Sequence, residues 1–151
     1  MVLILNGKDR LLLEGPPILY TGLYFLNGGH SPLSIAAYSN RTEVVRLLLS
    51  SGANVDAVNE DNRSALFWSA IFGHITAMEV LLDYKADFNL LTKKSKSTVL
   101  MIATNAGRLD IVKLLVSRGA SWKVVNKDGL TALDVAKQEK HEHLIQYLSS
   151  L

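Results

Sequence analysis

The stretch "SPLSIAAYSN", Ser31–Asn40, decides the fold because closely similar stretches occur three more times along the chain. It returns as "SALFWSAIFG" from Ser64, as "TVLMIATNAG" from Thr98 and as "TALDVAKQEK" from Thr131. The first residues of successive copies are 33, 34 and 33 positions apart. A nearly constant period of this length is typical of a stacked repeat protein, in which each unit packs on its neighbours.

Each copy carries the local signals of two helices joined by a tight turn. Its first residue is serine or threonine, whose hydroxyl caps a helix N-terminus, and Pro32 suits the first helical turn. Gly73 and Gly107 stand where the first helix should end in a left-handed turn. A second run, such as "EVVRLLL" from Glu43, has apolar residues at helical spacing and leads to another turn, where Lys85 replaces glycine. Because one helix pair cannot cover its own apolar face, the pairs must stack.

The composition is that of one globular domain. The chain has 151 residues, of which 48% are hydrophobic and 20% are charged, which suffices for a sizeable core. It has no cysteine, which excludes disulfides, zinc–thiolate sites and thiol catalysis. The start, "MVLILNGKDR", lacks the long apolar run of a secretory signal, and the apolar stretch from Ile18 to Leu26 is too short to cross a membrane. These features predict a soluble intracellular protein, cytoplasmic or nuclear, with no membrane segment.

The four copies resemble ankyrin repeats. That family's signature is a capped Pro-Leu-His turn, paired alanines, Gly-His, a run of leucines and Gly-Ala. It is matched here by "SPLSIAA", "VVRLLLSSGANVDA", "GHITAMEVLL", "GRLDIVKLLVSRGA" and "TALDVA". The resemblance implies an all-α solenoid of stacked antiparallel helix pairs with projecting loops. The family's usual histidine after the leucine is replaced by Ser34, Phe67, Met101 and Asp134, which implies weaker hydrogen bonding between neighbouring repeats.

The resemblance divides the chain into an N-terminal segment, 1–25, and an ankyrin repeat domain, 26–151. The predicted repeats are about 26–58, 59–91, 92–125 and 126–151. Within the first segment, "NGKDRLLLEG" from Asn6 resembles a shortened second half of a repeat. We interpret this segment as a degenerate half-repeat or cap, whose following apolar loop lies across the first complete unit. The equally weighted alternative is that Met1 is a start cut from a longer chain.

No motif in the sequence predicts catalysis or metal binding. The four histidines, His30, His74, His141 and His143, lack the spacing of metal ligands, and residues two apart on a helix do not face one another. His74 matches the Gly-His turn of the resembled family, which implies a structural role. There is no nucleophile elbow, H-E-x-x-H motif or phosphate loop. We therefore expect no catalytic residue, no metal and no cofactor.

Charge is distributed unevenly along the chain. Residues 1–91 contain 6 Lys+Arg and 9 Asp+Glu, a balance of −3, whereas residues 92–151 contain 10 and 5, a balance of +5. The loop "TKKSKS", Thr92–Ser97, contributes three lysines. The split either serves solubility or orients a partner, and the lysine loop is either simply solvated or attracts an acidic stretch of protein. Nucleic-acid binding is not predicted, because it requires a broader basic face.

The resemblance also implies a binding surface on the concave side of the solenoid, formed by the ends of the first helices and by the loop tips. The expected partner-binding residues are Tyr38, Glu60, Asp61, Arg63, Ile71, Phe72, Lys94, Ser95, Asn105 and Lys127. Gln138 continues the row of helix ends. The alternative for the large apolar members of this set is packing against a neighbouring repeat. Trp68 and Trp122 fall at positions that are usually buried, so we expect both in the core.

Two functions are compatible with this resemblance. The leading hypothesis is a protein–protein interaction module, an adaptor or blocking inhibitor, whose concave groove binds a protein partner. The alternative is a regulatory or targeting fragment of a larger enzyme or channel. An enzymatic activity of the chain itself is not predicted, and a monomer is expected. Since a fold alone does not define a function, the partner's identity is left open.

Overall fold

The computed structural model describes the backbone of two strands near the N-terminus, Leu3–Asn6 and Arg10–Leu13, and all residues from 28 to 151. From residue 28 onward the chain forms four successive helix pairs, which confirms the predicted all-α solenoid of ankyrin type. The helices are α1 (Pro32–Tyr38), α2 (Thr42–Ser50), α3 (Ala65–Phe72), α4 (Ile75–Asp83), α5 (Val99–Asn105), α6 (Leu109–Ser117), α7 (Ala132–Gln138) and α8 (Glu142–Ser149).

The predicted hydroxyl caps are present at all four first helices. Ser31 Oγ accepts the backbone N–H of Ser34 at 3.1 Å, and Ser64, Thr98 and Thr131 make the same bond three residues ahead. Thr131 also forms a capping box, because the Asp134 carboxylate accepts its backbone N–H at 2.9 Å. The Thr131 hydroxyl and N–H lower the pKa of Asp134. Each cap satisfies a backbone donor that would otherwise lack a partner at the helix start.

The core lies between the stacked helix pairs. The first helices α1, α3, α5 and α7 each contact the next, and α2 contacts α4. Leu33, Leu66 and Leu100 occupy one repeat position and are 2%, 0% and 1% exposed. Ala37 and Ala70, both 0% exposed, follow on the same helices, and their small side chains let the helices pack closely. Trp122 is half-buried and packs against this core from its edge, so it is not a fully buried core residue as the sequence predicts.

Polar side chains connect each helix pair to the one before it. In three places a ring or guanidinium N–H donates to the backbone carbonyl at or next to the end of the preceding first helix. The bonds run from His74 to Tyr38 at 3.0 Å, from Arg108 to Ile71 at 3.2 Å and from His141 to Asn105 at 3.1 Å. These bonds confirm the structural role of His74, and we call the series the carbonyl ladder.

Two glycines are required by both their backbone angles and the carbonyl ladder. Gly73 has φ of 75° and Gly107 has φ of 71°, in the left-handed region that glycine tolerates best. A Cβ atom on Gly73 would lie 3.2 Å from the Arg108 side chain, and one on Gly107 would lie 3.1 Å from the His141 ring. The same positions therefore end one helix and admit a side chain from the following repeat.

The two N-terminal strands, β1 (Leu3–Asn6) and β2 (Arg10–Leu13), form an antiparallel hairpin in which Leu3 lies opposite Leu13. The half-repeat hypothesis would place a helix in the leucine run, so the observed strand differs from it. β1 ends at Asn6, which pairs with Arg10 at the start of β2, and a short connection that contains glycine between two apolar runs is common in hairpins. The apolar loop that was expected to cover the first unit lies outside the described residues.

We predict that Leu115→Ala lowers the free energy of unfolding by about 2–5 kcal/mol, because the closely packed neighbours cannot fill the cavity. Leu115 is 0% exposed between α6 and the adjacent helices. Urea unfolding followed by circular dichroism measures the change. The control is Leu47→Ala, whose side chain is 58% exposed and should cost about 0.5 kcal/mol or less. Equal losses in the two variants would contradict the proposed position of the core.

We predict that Lys85→Gly raises the free energy of unfolding by about 1 kcal/mol. Lys85 has φ of 66° at the turn after α4, where the corresponding residues are Gly52 and Gly119. Glycine removes the strain of a side chain in the left-handed region, although its greater freedom in the unfolded chain offsets part of the gain. The same substitution inside α6, Lys113→Gly, should instead cost about 1 kcal/mol. Thermal unfolding of both variants tests this, and destabilisation by Lys85→Gly would refute it.

Candidate functional site

The ends of the first helices form the first part of the site, which we call the helix-end row. It consists of Tyr38, Ile71, Phe72 and Asn105. Tyr38, Phe72 and Asn105 are the last residues of α1, α3 and α5. Phe72 is 41% exposed, Asn105 is exposed, and Tyr38 and Ile71 are half-buried. Because the carbonyl ladder holds three of these backbones, the row has a fixed geometry along the stack. Gln138, which ends α7, is also exposed.

The second part consists of the loop tips, which contain the remaining predicted residues Glu60, Asp61, Arg63, Lys94, Ser95 and Lys127. A side-chain oxygen at the start of each loop holds its turn closed. Asn59 Oδ1 accepts the N–H groups of Asp61 and Arg63 at 3.1 and 2.9 Å. Asn126 Oδ1 makes the equivalent bonds in the last loop. Thr92 Oγ1 accepts the N–H of Ser97 at 3.1 Å. The loops therefore present their charges on closed, hydrogen-bonded turns.

Backbone hydrogen bonds also join successive loops. The N–H of Lys93 donates to the carbonyl of Asp61 at 2.9 Å, and the N–H of Lys127 donates to the carbonyl of Ser95 at 3.0 Å. Asn62 Nδ2 donates to the carbonyl of Leu91 at 2.7 Å. We call this series the loop ladder. It places the acidic tip at Asp61 directly beside the lysine loop, so the sign of the charge reverses within one repeat.

Three aromatic rings form a cluster between the first two repeats. The rings of Tyr38 and Phe72 meet edge to face with centroids 4.8 Å apart, and Trp68 lies 5.9 Å from Tyr38 and 6.5 Å from Phe72. We call these three residues the aromatic cluster. Edge-to-face and offset ring contacts are favourable and restrict ring motion. Phe72 therefore presents a large apolar surface to solvent in a fixed orientation, which is the property of an interface anchor.

The expectation that Trp68 lies in the core was wrong. Trp68 is half-buried, and its ring contacts two residues of the helix-end row. The signal that could have indicated this is its spacing, since residues four apart on a helix share a face and Trp68 precedes Phe72 by four. Trp68 was expected in the core because residues at its position in the repeat are usually buried.

Arg63 connects the loop tips to the aromatic cluster. Its guanidinium lies over the ring of Phe67, 5.0 Å from the centroid, and 5.7 Å from the centroid of Trp68. Its Nη2 is 3.9 Å from Asp61 Oδ2. Part of its binding capacity is therefore used within the chain, where stacking on rings stabilises the cation. The expected role of Arg63 as a partner-binding residue is accordingly less direct than that of Glu60 or Lys94, which are exposed.

Within the described residues, no group of three or more His, Asp or Glu side chains is arranged to hold a metal ion. Over the same part of the chain, no helix has the length and apolar character needed to cross a membrane. The helix-end row and the loop tips instead form an extended surface of charged, aromatic and amide side chains.

An array of short helix pairs with an extended, rigid side-chain surface defines a class of repeat scaffold. Two family comparisons identify it further. Residues 3–92 match a family model described as "Ankyrin repeats (3 copies)", and residues 81–136 match one described as "Ankyrin repeats (many copies)". The chain belongs to the ankyrin repeat family, whose repeats are protein-interaction modules.

Similar proteins differ widely in size. The Ankyrin repeat and KH domain-containing protein mask of Drosophila melanogaster is 39% identical over 69% of this chain, which spans 3% of that protein. The E3 ubiquitin-protein ligase hecd-1 of Caenorhabditis elegans is 34% identical over 99% of this chain, which spans 6% of the ligase. Cyclin-dependent kinase inhibitor 2A of Monodelphis domestica is 34% identical over 77% of this chain, which spans 67% of the inhibitor. Repeats of this kind therefore occur both in small proteins and as small parts of large ones.

We predict that acid lowers the stability of this chain partly through His30. Its Nε2 lies 3.2 Å from Asn59 Nδ2, so the amide donates to an unprotonated ring nitrogen. Burial, and secondly the Arg63 cation, lower the pKa of His30 from its ordinary value of 6.5, whereas Asp61 opposes the shift. A depressed histidine pKa contributes stability above 6.5 that is lost as the pH falls through the folded-state pKa.

The measurement is urea unfolding at about pH 7.5 and about pH 5, for the unmodified chain and for His30→Gln. The variant should lose less stability on acidification than the unmodified chain. His143→Gln, which changes an exposed histidine on α8, is the control and should leave the pH dependence as it is. Identical pH dependence in the unmodified chain and His30→Gln would contradict the prediction.

Proposed function

We propose that the chain is a protein-interaction module that binds a protein partner across the helix-end row and the loop tips, as an adaptor or as a blocking inhibitor. The observation that carries this proposal is Phe72. Its ring is 41% exposed, yet Tyr38 and Trp68 hold it in one orientation. An ordered, exposed aromatic residue at this family's interaction surface is best explained as an anchor for another protein.

The rigidity of the surface supports this function. The carbonyl ladder fixes the helix ends and the loop ladder fixes the tips, so little conformational freedom would be lost on binding. A standard protein interface buries about 1,600 Å² in total, which requires contributions from several repeats. The acidic tip at Glu60 and Asp61 and the basic tip at Lys93 and Lys94 would orient the partner and raise its association rate.

The blocking mode is favoured by one relative of comparable size. Cyclin-dependent kinase inhibitor 2A, of which this chain spans 67%, is by its name an inhibitor of another protein. In the blocking mode, the chain inhibits by occupying a surface that its target needs. In this mode the chain acts as a monomer inside the cell, in the cytoplasm or the nucleus, and needs no cofactor.

The alternative is that the chain is a regulatory or targeting segment of a larger protein. The observation in its favour is the small share of the large relatives that the chain spans, which is 3% for the Drosophila protein mask and 6% for the ligase hecd-1. It is 9% for a Transient receptor potential cation channel subfamily A member 1 homolog of Caenorhabditis elegans. Immunoblotting of source cells with an antibody against residues 126–151 separates the two, because a larger band supports the alternative.

We predict that Phe72→Ala weakens partner binding by about 2 kcal/mol or more while leaving the helical content unchanged. A partner is first captured on the immobilised chain and identified by mass spectrometry. Its affinity for the purified variants is then measured by calorimetry. Lys94→Glu should mainly slow association and reduce its salt dependence, because exposed charges at an interface act chiefly on the encounter rate.

The control is Lys113→Glu, which changes the charge on α6 away from the helix-end row. It should bind as the unmodified chain does. If Lys113→Glu abolished binding while Phe72→Ala and Lys94→Glu did not alter it, the partner would bind the outer helices and the proposed surface would be wrong.

A further inference from the structure

Three successive loops expose an apolar side chain at the same repeat position. None of these three residues is among the predicted partner-binding residues. These residues are Val58, Leu91 and Val125, which are 39%, 37% and 53% exposed. We call them the loop row. Single exposed apolar residues are common on protein surfaces, but three at one repeated position form an ordered line. Other apolar residues of the same loops, Val55, Phe88 and Trp122, pack against the core, so the loop row is not required for packing.

The loop row is held at a fixed spacing by the hydrogen bonds around it. Each member directly precedes the residue whose side chain closes the turn, namely Asn59, Thr92 or Asn126. The carbonyl of Leu91 accepts the Asn62 side chain at 2.7 Å, and the loop ladder joins the tips on either side. Packed helices lie about 8–10 Å apart, and we take this general value as the order of magnitude for the separation of successive members of the row.

This spacing selects among the regular conformations of a polypeptide ligand. A β-strand presents side chains on one face every 6.6–6.8 Å or so, since its rise is about 3.3–3.4 Å per residue. A polyproline II segment has three residues per turn and rises about 3.1 Å per residue, so every third side chain recurs after about 9 Å. An α-helix returns to the same face every turn, after about 5.4 Å. Among these three conformations, only polyproline II repeats its side chains on one face at a distance close to the spacing taken for the loop row.

The charge around the row determines the chemistry of the ligand. Lysines follow two of the three apolar residues, with Lys93, Lys94 and Lys96 after Leu91 and Lys127 after Val125. Lys94 and Lys127 are exposed. The loop of Val58 carries Glu60 and Asp61 instead. In the third loop Asp128 follows Lys127, and Lys123 precedes Val125; all three charged residues are exposed. The positive excess is therefore largest at the second loop, with its three lysines, and smaller at the third, and it favours acidic side chains in a ligand there.

We propose that the loop row binds an extended, acidic polypeptide segment in the polyproline II conformation, with an apolar side chain at every third residue. This proposal rests on the proposed function and specifies the class of partner segment. The apolar side chains of the ligand contact Val58, Leu91 and Val125 in turn, and its carboxylates lie beside the lysines of the second and third loops. Phe72 and the helix-end row remain available to a folded part of the same partner.

The test uses labelled synthetic peptides of about twelve residues, or four polyproline II turns, and the whole chain. The first peptide repeats Leu-Pro-Glu. The second has the same composition, but its four leucines are grouped at alternate positions in the middle of the peptide. The third replaces glutamate by lysine, and the fourth is helical and acidic with one leucine per turn. Fluorescence anisotropy measures affinity, and amide chemical shifts of the ¹⁵N-labelled chain locate the contact. The Leu-Pro-Glu peptide should bind about tenfold more tightly than the others and shift the loop amides.

Two substitutions decide whether the row is responsible. Leu91→Ser should weaken binding of the Leu-Pro-Glu peptide about tenfold, which corresponds to the burial of roughly half a leucine side chain. Leu47→Ser is the matched control, because Leu47 is apolar and 58% exposed but lies on α2. It should leave binding unchanged. Lys127→Glu should weaken binding and reduce its dependence on salt.

Several results would overturn the proposal. These are no binding of the Leu-Pro-Glu peptide, equal or tighter binding of the alternating or helical peptide, or equal binding to Leu91→Ser. Leu91-dependent binding to phosphatidylserine vesicles without peptide binding would assign the row to a membrane surface instead. A captured partner that is lost with Phe72→Ala but kept with Leu91→Ser, together with no peptide binding, would preserve the proposed function and reject this inference alone.

Discussion

The contact between successive helix pairs is the interaction on which every other feature of this chain depends. The helices are short, with seven residues in α1 and nine in α2, and helices of that length are not stable alone in water. Their caps satisfy backbone donors but do not supply a core. Leu66 and Ala70 are 0% exposed only because neighbouring helices pack against α3. The stability of each helix pair, and with it the geometry of the surface, therefore depends on packing against the adjacent helix pairs.

The same contacts between repeats that stabilise the array also shape its outer surface. The carbonyl ladder ends on the helix-end row, and the loop ladder joins the tips. The hydrogen bonds of the two ladders therefore involve the backbones of the candidate binding residues themselves. This arrangement orders the candidate surface through bonds within the chain, with acidic character at Glu60 and basic character at Lys94. Such a surface favours selection of a partner by shape and charge together.

The helices, their caps and their turns could be predicted from the sequence because each depends on residues close in the chain. Ser64 caps α3, and the glycine at 73 ends it, as the local pattern indicates. Arg63 contacts Phe67, and Trp68 contacts Phe72, each four residues ahead, so part of their placement had a local signal. The contact of Trp68 with Tyr38 joins two repeats and required the structure. The hairpin of β1 and β2 was not expected, because the leucine run in it resembles the second half of a repeat. The interpretation of residues 1–25 as a degenerate half-repeat or cap stays a prediction. The location of the candidate surface followed from the family, whereas the ladders that fix it required the structure.

The carbonyl ladder has a consequence for how this protein can evolve. The end of each first helix is bonded by a side chain that belongs to the next repeat, as Ile71 is by Arg108 and Asn105 is by His141. Glycines at positions 73 and 107 leave room for those side chains. Since the acceptor in each case is a backbone carbonyl, the bond does not depend on which side chain ends the helix. Side chains of the helix-end row can therefore change without loss of the ladder, provided that the next repeat keeps its donor and the turn keeps its glycine.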